Sequence, residues 1–491
     1  MQPTNFLFIC SDEHQRNITG CYGNPHAHTP HMDALAARGV RFDHAYTPSP
    51  ICVPARAALA SGQPIHATGH WDNAFPYTGT PRGWGHHLAA NGFVMDSIGK
   101  LHFRKAEDDN GFRNEVDAMY VAEGIGEVVS CLRARAPHRG GRKGVISAGP
   151  GESPYLDYDR RIAQQAATWL ADHANADGKS HDAPPWALFV SFVNPHPPFK
   201  APPELYAKYD HAALPLPHQW QQSDWPEHSA FDYFRQYFGW QEPIAEADLR
   251  RVLATYYAQC EFVDQQVGRL LAALERQGLA ENTRVIYTSD HGAMLGARGL
   301  FGKFSLYDEA AAIPLILAGP DIPQGKVVKT PVSLLDCGPT VVEALGCPPQ
   351  SADLPGESLL QIATAPDRPR YVLSEYHAAG SLHGAFMLSD GHYKYNHYVH
   401  MPPQLFDLHA DPAELVNRAD DPAYAPHLAR MDAELRRRLD PLAIDARAKA
   451  DQLAKVEEHG GEAAVLARGL SNSPIPGQAP VFTRNLKATE T

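Results

Sequence analysis

Cys52 and Arg56 are the residues whose types and spacing most directly suggest chemistry. They stand four positions apart in Cys-Val-Pro-Ala-Arg, ahead of alanine-rich residues that favour helix. If the helix begins near Ala55, Cys52 lies beside its N-terminus, where free backbone N–H groups and the helix dipole attract anions. The Arg56 guanidinium adds a positive fork for sulfate or phosphate. The pattern predicts a nucleophile in an anion site; the alternative is a buried structural cysteine.

Acidic residues follow two predicted strands. Residues 6–10 form a continuous apolar run, typical of a strand buried on both faces of a parallel sheet, and Asp12 and Glu13 come after it. A second apolar run leads into Asp290 and His291. Because α/β proteins bind ligands at the carboxyl ends of parallel strands, we expect these side chains to meet there. For Asp12 alone, capping of a helical turn is an equally good explanation.

Basic residues occupy further strand ends. Lys100 and His102 close the segment 92–103 and share a face if the chain there is extended. His196 lies in Asn-Pro-His-Pro-Pro after another apolar run, and Lys303 follows a glycine near a later strand. For each residue alone, a solvated lysine or a hydrogen-bonded histidine is the alternative. Together they predict a positively charged pocket.

Composition limits the class of protein. A chain of 491 residues, 44% of them hydrophobic, can bury a large core, and its net charge of -13 argues against nucleic-acid binding. Seven scattered cysteines without a Cys-x-x-Cys pair suggest neither a disulfide framework nor a zinc knuckle. The N-terminus has no secretion-signal pattern, and no apolar run approaches the roughly 20 residues that span a bilayer. We therefore expect a cytoplasmic protein with soluble substrates and no membrane partner.

The elements that must position these residues indicate an α/β class. Apolar runs alternating with amphipathic helices predict an α/β/α sandwich with a large, mostly parallel sheet. One predicted helix begins at Pro30 and ends with Gly39 as its C-cap. We predict a catalytic domain over 1–369, a small antiparallel α+β subdomain over 370–450, and a tail over 451–491 that either is disordered or docks on a neighbouring subunit.

The motifs resemble those of the type I, formylglycine-dependent sulfatases of the alkaline phosphatase superfamily. Cys-x-Pro-x-Arg is similar to their signature, Gly-Lys-x-His at Lys100 and His102 to their lysine-histidine segment, and Asp-His at 290–291 to one form of their second metal pair. Asn73 matches an active-site asparagine of choline-sulfatases and phosphonate hydrolases. The chain therefore most resembles the branch of the family that contains choline-sulfatases, arylsulfatases and phosphonate monoester hydrolases. The resemblance covers roughly residues 3–440 and implies an alkaline phosphatase-like fold and hydrolysis of sulfate monoesters.

The resemblance also implies a metal centre and a modified cysteine. Asp12, Asp290, His291 and residue 52 would surround one divalent cation, with Glu13, which departs from the family pattern, as a further ligand. Calcium is usual in sulfatases, and a histidine in the set also admits manganese. A formylglycine-generating enzyme would convert Cys52 to formylglycine, whose hydrate is the nucleophile.

Further roles carry over from the same resemblance. The sulfate group would be bound by three cations and one amide, namely Arg56, Lys100, Lys303 and Asn73. His196 would protonate the leaving alcohol, and His102 would be the base that releases sulfate.

Two competing functions and the identity of the alcohol stay open. A phosphonate monoester or phosphodiester hydrolase of the same superfamily is the first competitor, although its members tend to replace the Lys-x-His pair by hydroxyl residues. An inactive binding homologue is the second. Choline, aryl and sugar sulfates are all candidate substrates, and we expect a homo-oligomer, a dimer or tetramer. An aromatic segment at 211–242 predicts a substrate-facing wall or, alternatively, a packed lid; its rings are Trp220, Trp225, Phe231, Tyr233, Phe234, Tyr237 and Trp240.

Overall fold

The structure, a computed structural model, describes residues 2–177 and 184–484. The strands β1 to β18 within these residues are, in chain order, Asn5–Asp12, Gly39–Phe42, Ala45–Tyr46, Val94–Lys100, Asn114–Met119, Gly149–Pro150, Trp186–Pro195, Lys200–Ala201, Thr283–Ser289, Leu315–Ala318, Lys326–Val328, Val332–Ser333, Val372–Tyr376, Ala385–Ser389, Tyr393–Tyr398, Gln404–Asp407, Leu470–Asn472 and Val481–Thr483.

The helices α1 to α15 are, in the same order, Pro30–Ala37, Cys52–Ser61, Ile65–Thr68, Trp84–Ala90, Arg142–Ile146, Pro154–Asp177, Pro203–Tyr206, Ser229–Phe238, Glu246–Arg276, Asp308–Ala311, Cys337–Ala344, Leu359–Thr364, Ala425–Arg438, Pro441–Glu458 and Gly461–Arg468. Short 3-10 turns link several of them.

The main sheet has eight strands in the order β11-β2-β10-β9-β1-β7-β4-β5. Only β10 runs against the others; the remaining neighbours pair in parallel. Every residue of β1 is buried, as expected for a central strand whose sequence is a continuous apolar run. The carboxyl end of β1, with Asp12, therefore lies between the carboxyl ends of β9 and β7.

Helices cover both faces of this sheet. On one face, Leu7 and Ile9 of β1 join a core formed with α1, α6 and α9. On the other, Phe6 and Phe8 pack with α4, α11 and α12, and Trp84 stacks on Phe8 at 6.5 Å between ring centroids. Successive strand residues point to opposite faces, which is why one apolar run serves both cores. The predicted α/β/α sandwich with a mostly parallel sheet is confirmed.

A smaller antiparallel sheet, β13-β14-β15-β16, follows and packs against α13. A buried ion pair joins this sheet to the preceding part of the chain: Lys394 Nζ of β15 lies 2.6 Å from Asp308 Oδ1 of α10. The boundary predicted at residue 450 falls inside α14. The predicted tail contains α15 and the hairpin β17–β18, and its last seven residues lie outside the described part of the chain.

Two local predictions are wrong. Gly39 does not cap α1; it is the first residue of β2, and glycine is needed because a Cβ there would collide with the Leu317 carbonyl of β10. The chain is not extended from Lys100 to His102: β4 ends at Lys100, and His102 has a φ of 61°. Left-handed backbone, and not strand alternation, therefore turns the imidazole towards the lysine.

No helix among the described residues is long and apolar enough to cross a membrane.

Candidate active site

The carboxyl ends of four adjacent parallel strands form the floor of the site. Asp12 ends β1, Asp290 directly follows β9, Lys100 ends β4 and His196 directly follows β7. These strands are neighbours in the order β9-β1-β7-β4, so residues distant in sequence come together at one edge. The predicted convergence of acids and bases is observed.

Cys52 is the first residue of α2, with Ile51 as N-cap. Its Sγ lies 3.1 Å from His291 Nε2 and 3.5 Å from Asp12 Oδ1. The side chain is buried, with 2% of its surface exposed. A cysteine at a helix N-terminus among charged groups, not among apolar ones, fits a reactive site and not the structural alternative.

Arg56, one turn into α2, binds residues at the carboxyl ends of these strands. Its Nε donates to Asp290 Oδ2 at 2.8 Å, and its Nη1 donates to the Lys100 carbonyl at 2.7 Å and to Ser191 Oγ at 2.9 Å. Its Nη2 has no hydrogen-bond partner among the described residues and lies 4.0 Å from Asp12 Oδ2. Arg56 does not line the cavity above Cys52, so its contacts hold the acids in place.

Asp12, Cys52, Asp290 and His291 form a group that fits a divalent cation. All four are buried, and one candidate ligand atom from each lies within 4.8 Å of the others. The His291 Nδ1–H donates to the Gly292 carbonyl at 3.0 Å, which leaves Nε2 facing the two carboxylates. Two carboxylates and one imidazole are donors that calcium and manganese accept.

The protonation states of Asp12 and His291 also favour a bound cation in this group. Burial opposes ionisation of Asp12, but Lys100, His196 and Lys303 hold the pKa of its carboxyl well below the usual range. Burial likewise opposes the imidazolium of His291, yet Asp290 and Cys52 raise the pKa of His291 to about 9. Asp12 therefore keeps its negative charge, and the site attracts positive charge onto His291, a charge that a divalent ion could supply instead.

Glu13 lies outside this four-residue group. It has a φ of 69°, its backbone N–H donates to Asp290 Oδ1 at 3.1 Å, and its Oε2 lies 2.8 Å from Lys303 Nζ and 3.7 Å from His196 Nε2. With Asp12 and His196 it forms a second possible metal-binding group. Arg16, three residues further along the chain, does not pair with Glu13 but with Asp308 at 3.0 Å.

Replacing Glu13 tests whether it binds the metal or only holds Lys303. Glu13→Gln is expected to weaken metal affinity and to lower kcat/KM by about 10-fold, because a charge beside the ion and the lysine is lost; Glu13→Ala should lower both further. Metal titration and steady-state kinetics of the two variants measure each effect. Wild-type metal affinity with reduced turnover would mean that Glu13 acts only through Lys303, and two fully active variants would make it structural.

Above Cys52 lies a cavity of about 90 Å³, and the charged residues of its lining are the cations Lys100, Arg139 and Lys303 and the carboxylate Glu127. Five of the predicted site residues besides Cys52 border it, namely Asn73, Lys100, His102, His196 and Lys303. The Asn73 side-chain oxygen accepts from the Val53 N–H at 3.3 Å, which ties it to the start of α2. Burial and Lys100 lower the pKa of His102, so this histidine is neutral and can accept a proton.

Other lining residues were missed by the sequence reasoning. Tyr155 lies at the start of α6, with its ring 6.2 Å from that of His196. Glu127 and Arg139 border the cavity as an ion pair at 2.6 Å, and Ser473 enters it from the C-terminal hairpin. Arg139 belongs to a stretch rich in glycine and arginine, whereas nothing in the sequence around Ser473 indicates a site.

The aromatic segment does not form the predicted wall. Phe231, Phe234, Tyr237 and Trp240 are buried in a hydrophobic core, and none of the segment's rings borders the cavity. The segment contacts the lining from behind, because Phe238 stacks on the lining residue Phe304 at 4.8 Å between centroids and Phe234 lies 6.0 Å from the same ring. The packed-lid alternative is the one observed.

A mostly parallel sheet between helices, with Cys52 and a possible metal-binding group at its carboxyl edge, is typical of hydrolases with the alkaline phosphatase-like fold. The family model for sulfatases matches residues 4–347, and the model for the C-terminal region of N-sulphoglucosamine sulphohydrolase matches residues 296–440. The chain belongs to the sulfatase family and is a sulfuric ester hydrolase.

Curated relatives and solved structures agree with this placement. The chain is 33% identical to a choline-sulfatase of Rhizobium meliloti, in a match that covers 80% of this chain and 78% of the relative. It is 29% identical to human arylsulfatase K, in a match that covers 84% of this chain and 78% of the relative. A phosphonate monoester hydrolase of Agrobacterium radiobacter has a similar fold, with a TM-score of 0.68 at 24% identity over 91% of this chain and 96% of that one. The structure of a 2-O GAG sulfatase is also similar, with a TM-score of 0.69 at 24% identity over 92% of this chain and 93% of that one.

Proposed function

We propose that the protein hydrolyses small sulfate monoesters with a nucleophile derived from Cys52 by oxidation to formylglycine. The observation that carries the proposal is the position of the Cys52 Sγ, 3.1 Å from His291 and 3.5 Å from Asp12, at a helix N-terminus below a cavity lined by two lysines. A nucleophile there has acids on one side and anion-binding cations on the other.

We propose that conversion of Cys52 precedes folding. With 2% of its surface exposed, the side chain is out of reach of a second protein once α2 has packed. A formylglycine-generating enzyme is therefore proposed to act on the unfolded chain.

Asp12, Asp290 and His291 are the residues proposed to hold the divalent ion, with residue 52 completing the set and Glu13 close by. When bound, a divalent ion lowers the pKa of the hydrate's hydroxyl and polarises a sulfate oxygen. Calcium is the proposed ion, since carboxylate oxygens dominate the group.

The residues of the chain account for the transfer of sulfate. Lys100 and Lys303 bind the sulfate oxygens, and the ionised hydroxyl of residue 52 attacks sulfur in line with the departing alcohol. Burial and Lys303 lower the pKa of free His196, but a bound sulfate ester offsets the lysine charge. His196 can then be protonated and give its proton to the leaving oxygen as the S–O bond breaks.

His102 serves the second half of the reaction. It is neutral and borders the same cavity, so it can take the proton of the remaining hydroxyl of residue 52. The electron pair released then forms the aldehyde C=O bond, the bond between carbon and the sulfate oxygen breaks, and sulfate leaves. The formylglycine is restored without any outside reductant or oxidant.

The competing phosphonate activity and the nature of the alcohol can be tested on one substrate panel. We expect kcat/KM for an aryl sulfate to exceed that for an aryl phosphonate monoester, because the Lys100–His102 pair suits the sulfate chemistry. Choline sulfate should be the poorer sulfate ester, because a quaternary ammonium is bound by aromatic cages and carboxylates. The cavity has two aromatic rings, Tyr155 and Phe304, but Lys303 Nζ already lies 5.7 Å from the centroid of the Phe304 ring. The carboxylate Glu127 is likewise already paired with Arg139.

The panel is run with one preparation of converted, metal-loaded protein. A higher kcat/KM for the phosphonate would overturn the sulfatase assignment of this site. A preference for choline sulfate would overturn only the prediction that the cavity disfavours a quaternary ammonium alcohol. An inactive homologue would turn over none of the three.

A further inference from the structure

The C-terminal hairpin β17–β18 reaches the active site of its own chain. Ser471 and Asn472 of β17 and the next residue, Ser473, border the cavity together with Cys52. Ser471 is buried and Ser473 is half-buried. Residues more than 400 positions from the nucleophile in sequence therefore form part of its pocket.

Specific contacts hold the hairpin in this place. Arg468, at the end of α15, donates to the Gly126 carbonyl at 2.8 Å, and the Ser471 hydroxyl donates to the same oxygen at 3.2 Å. Gly126 has a φ of 77°, and a Cβ there would collide with the Asn73 backbone carbonyl. The hairpin is thus bound to a turn that itself packs on Asn73, and its position relative to the cavity is fixed.

Ser473 contacts the imidazole of His102. Its Oγ lies 2.7 Å from His102 Nε2, whereas His102 Nδ1 is buried and has no hydrogen-bond partner among the described residues. A neutral imidazole carries one N–H and one lone pair. If Nε2–H donates to the serine oxygen, the lone pair is on Nδ1 and is free to accept a proton. A buried nitrogen without a hydrogen-bond partner is destabilising, so the lone pair on Nδ1 favours a proton donor that reaches it.

We propose that Ser473 is the positioning residue of the base: by accepting the Nε2–H of His102 it fixes the imidazole ring and selects the tautomer whose Nδ1 takes the proton from residue 52. The inference rests on the proposed function, since it concerns the step assigned there to His102. A third group that orients a catalytic histidine and fixes its tautomer is a general device, and the carboxylate of Ser-His-Asp hydrolases has the same task. In this chain a serine of the C-terminal hairpin performs it.

Ser473→Ala separates the two halves of the reaction. With converted, metal-loaded protein and 4-nitrophenyl sulfate, rapid-mixing measurement of the first turnover reports the release of nitrophenol, and the steady-state rate reports the return of the enzyme to its starting state. We expect the first turnover to keep its wild-type rate and the steady-state kcat to fall by about 10- to 100-fold, so that a burst appears. Ser473→Thr, which keeps the hydroxyl, should restore most of kcat.

Thr483→Ala is the matched control, because Thr483 lies on the exposed side of the same hairpin. It should behave as wild type in both phases. The proposal is overturned if Ser473→Ala leaves both phases unchanged, or if it slows both phases alike, since a merely structural role of the hairpin would do that. Absence of any turnover by the wild-type enzyme would instead overturn the proposed function, and this proposal with it.

Discussion

Cys52→Ala is expected to abolish turnover of an aryl sulfate, with a loss of at least about 10⁴-fold, the scale on which removal of a covalent nucleophile acts. Alanine is a good helix former, and the substitution removes only the Sγ atom that faces Asp12 and His291. The fold should therefore persist while the reaction is lost. Steady-state kinetics and a thermal unfolding curve of the same preparation measure the two effects.

Cys337→Ala is the matched control for this variant. Cys337 is the first residue of α11, as Cys52 is the first residue of α2, and it is equally buried. Burial raises the pKa of the Cys337 thiol well above its usual value, so it is an inert core residue. The control should keep wild-type turnover. A Cys52→Ala variant with substantial activity would contradict the assignment of the nucleophile.

Asp290→Asn is expected to remove the divalent ion and to lower turnover by about 100-fold or more. Asp290 faces His291 and Cys52 in the metal-binding group, and its other oxygen accepts from Arg56 at 2.8 Å. The amide supplies one neutral oxygen in place of a carboxylate, so the ion is less firmly held and Arg56 loses its ionic partner. Elemental analysis of the purified variant and a calcium titration of its activity give the direct readout.

The comparison variant is Asp321→Asn. Asp321 also pairs with a buried arginine, Arg284, at 3.2 Å, but at the opposite, amino end of β9. It should keep both metal content and turnover. If Asp290→Asn binds the ion as tightly as wild type, Asp290 is not a ligand, and its role is confined to the contact with Arg56.

The sequence predicted those features of the site that depend on local order. A continuous apolar run followed by Asp12 requires a buried strand with an acid at its end, and the repetition of this pattern at Asp290 implies adjacent strand ends in a parallel sheet. The helix at Cys52 follows from the helix propensity of its alanines. These features needed no knowledge of distant contacts.

Features that depend on distant contacts could not be predicted in this way. Ser473 meets His102 in a place fixed by distant contacts such as those of Arg468 and Ser471 with the turn at Gly126, and no sequence periodicity predicts them. The aromatic segment shows the same limit. Its rings suit a ligand cage as well as a core, and only their burial in the folded chain, for example Phe238 against Phe304, distinguishes the two.

The state of residue 52 is the most direct test of the account. The tryptic peptide of residues 42–56 contains Cys52 as its sole cysteine. When the chain is produced together with a formylglycine-generating enzyme, mass spectrometry should find this peptide lighter by about 18 Da, the difference between a thiol and an aldehyde at this carbon. That loss should be absent when the same chain is produced without the enzyme. Turnover of aryl sulfate should rise with the converted fraction. Unmodified thiol in a preparation that nonetheless hydrolyses the ester would contradict the formylglycine nucleophile.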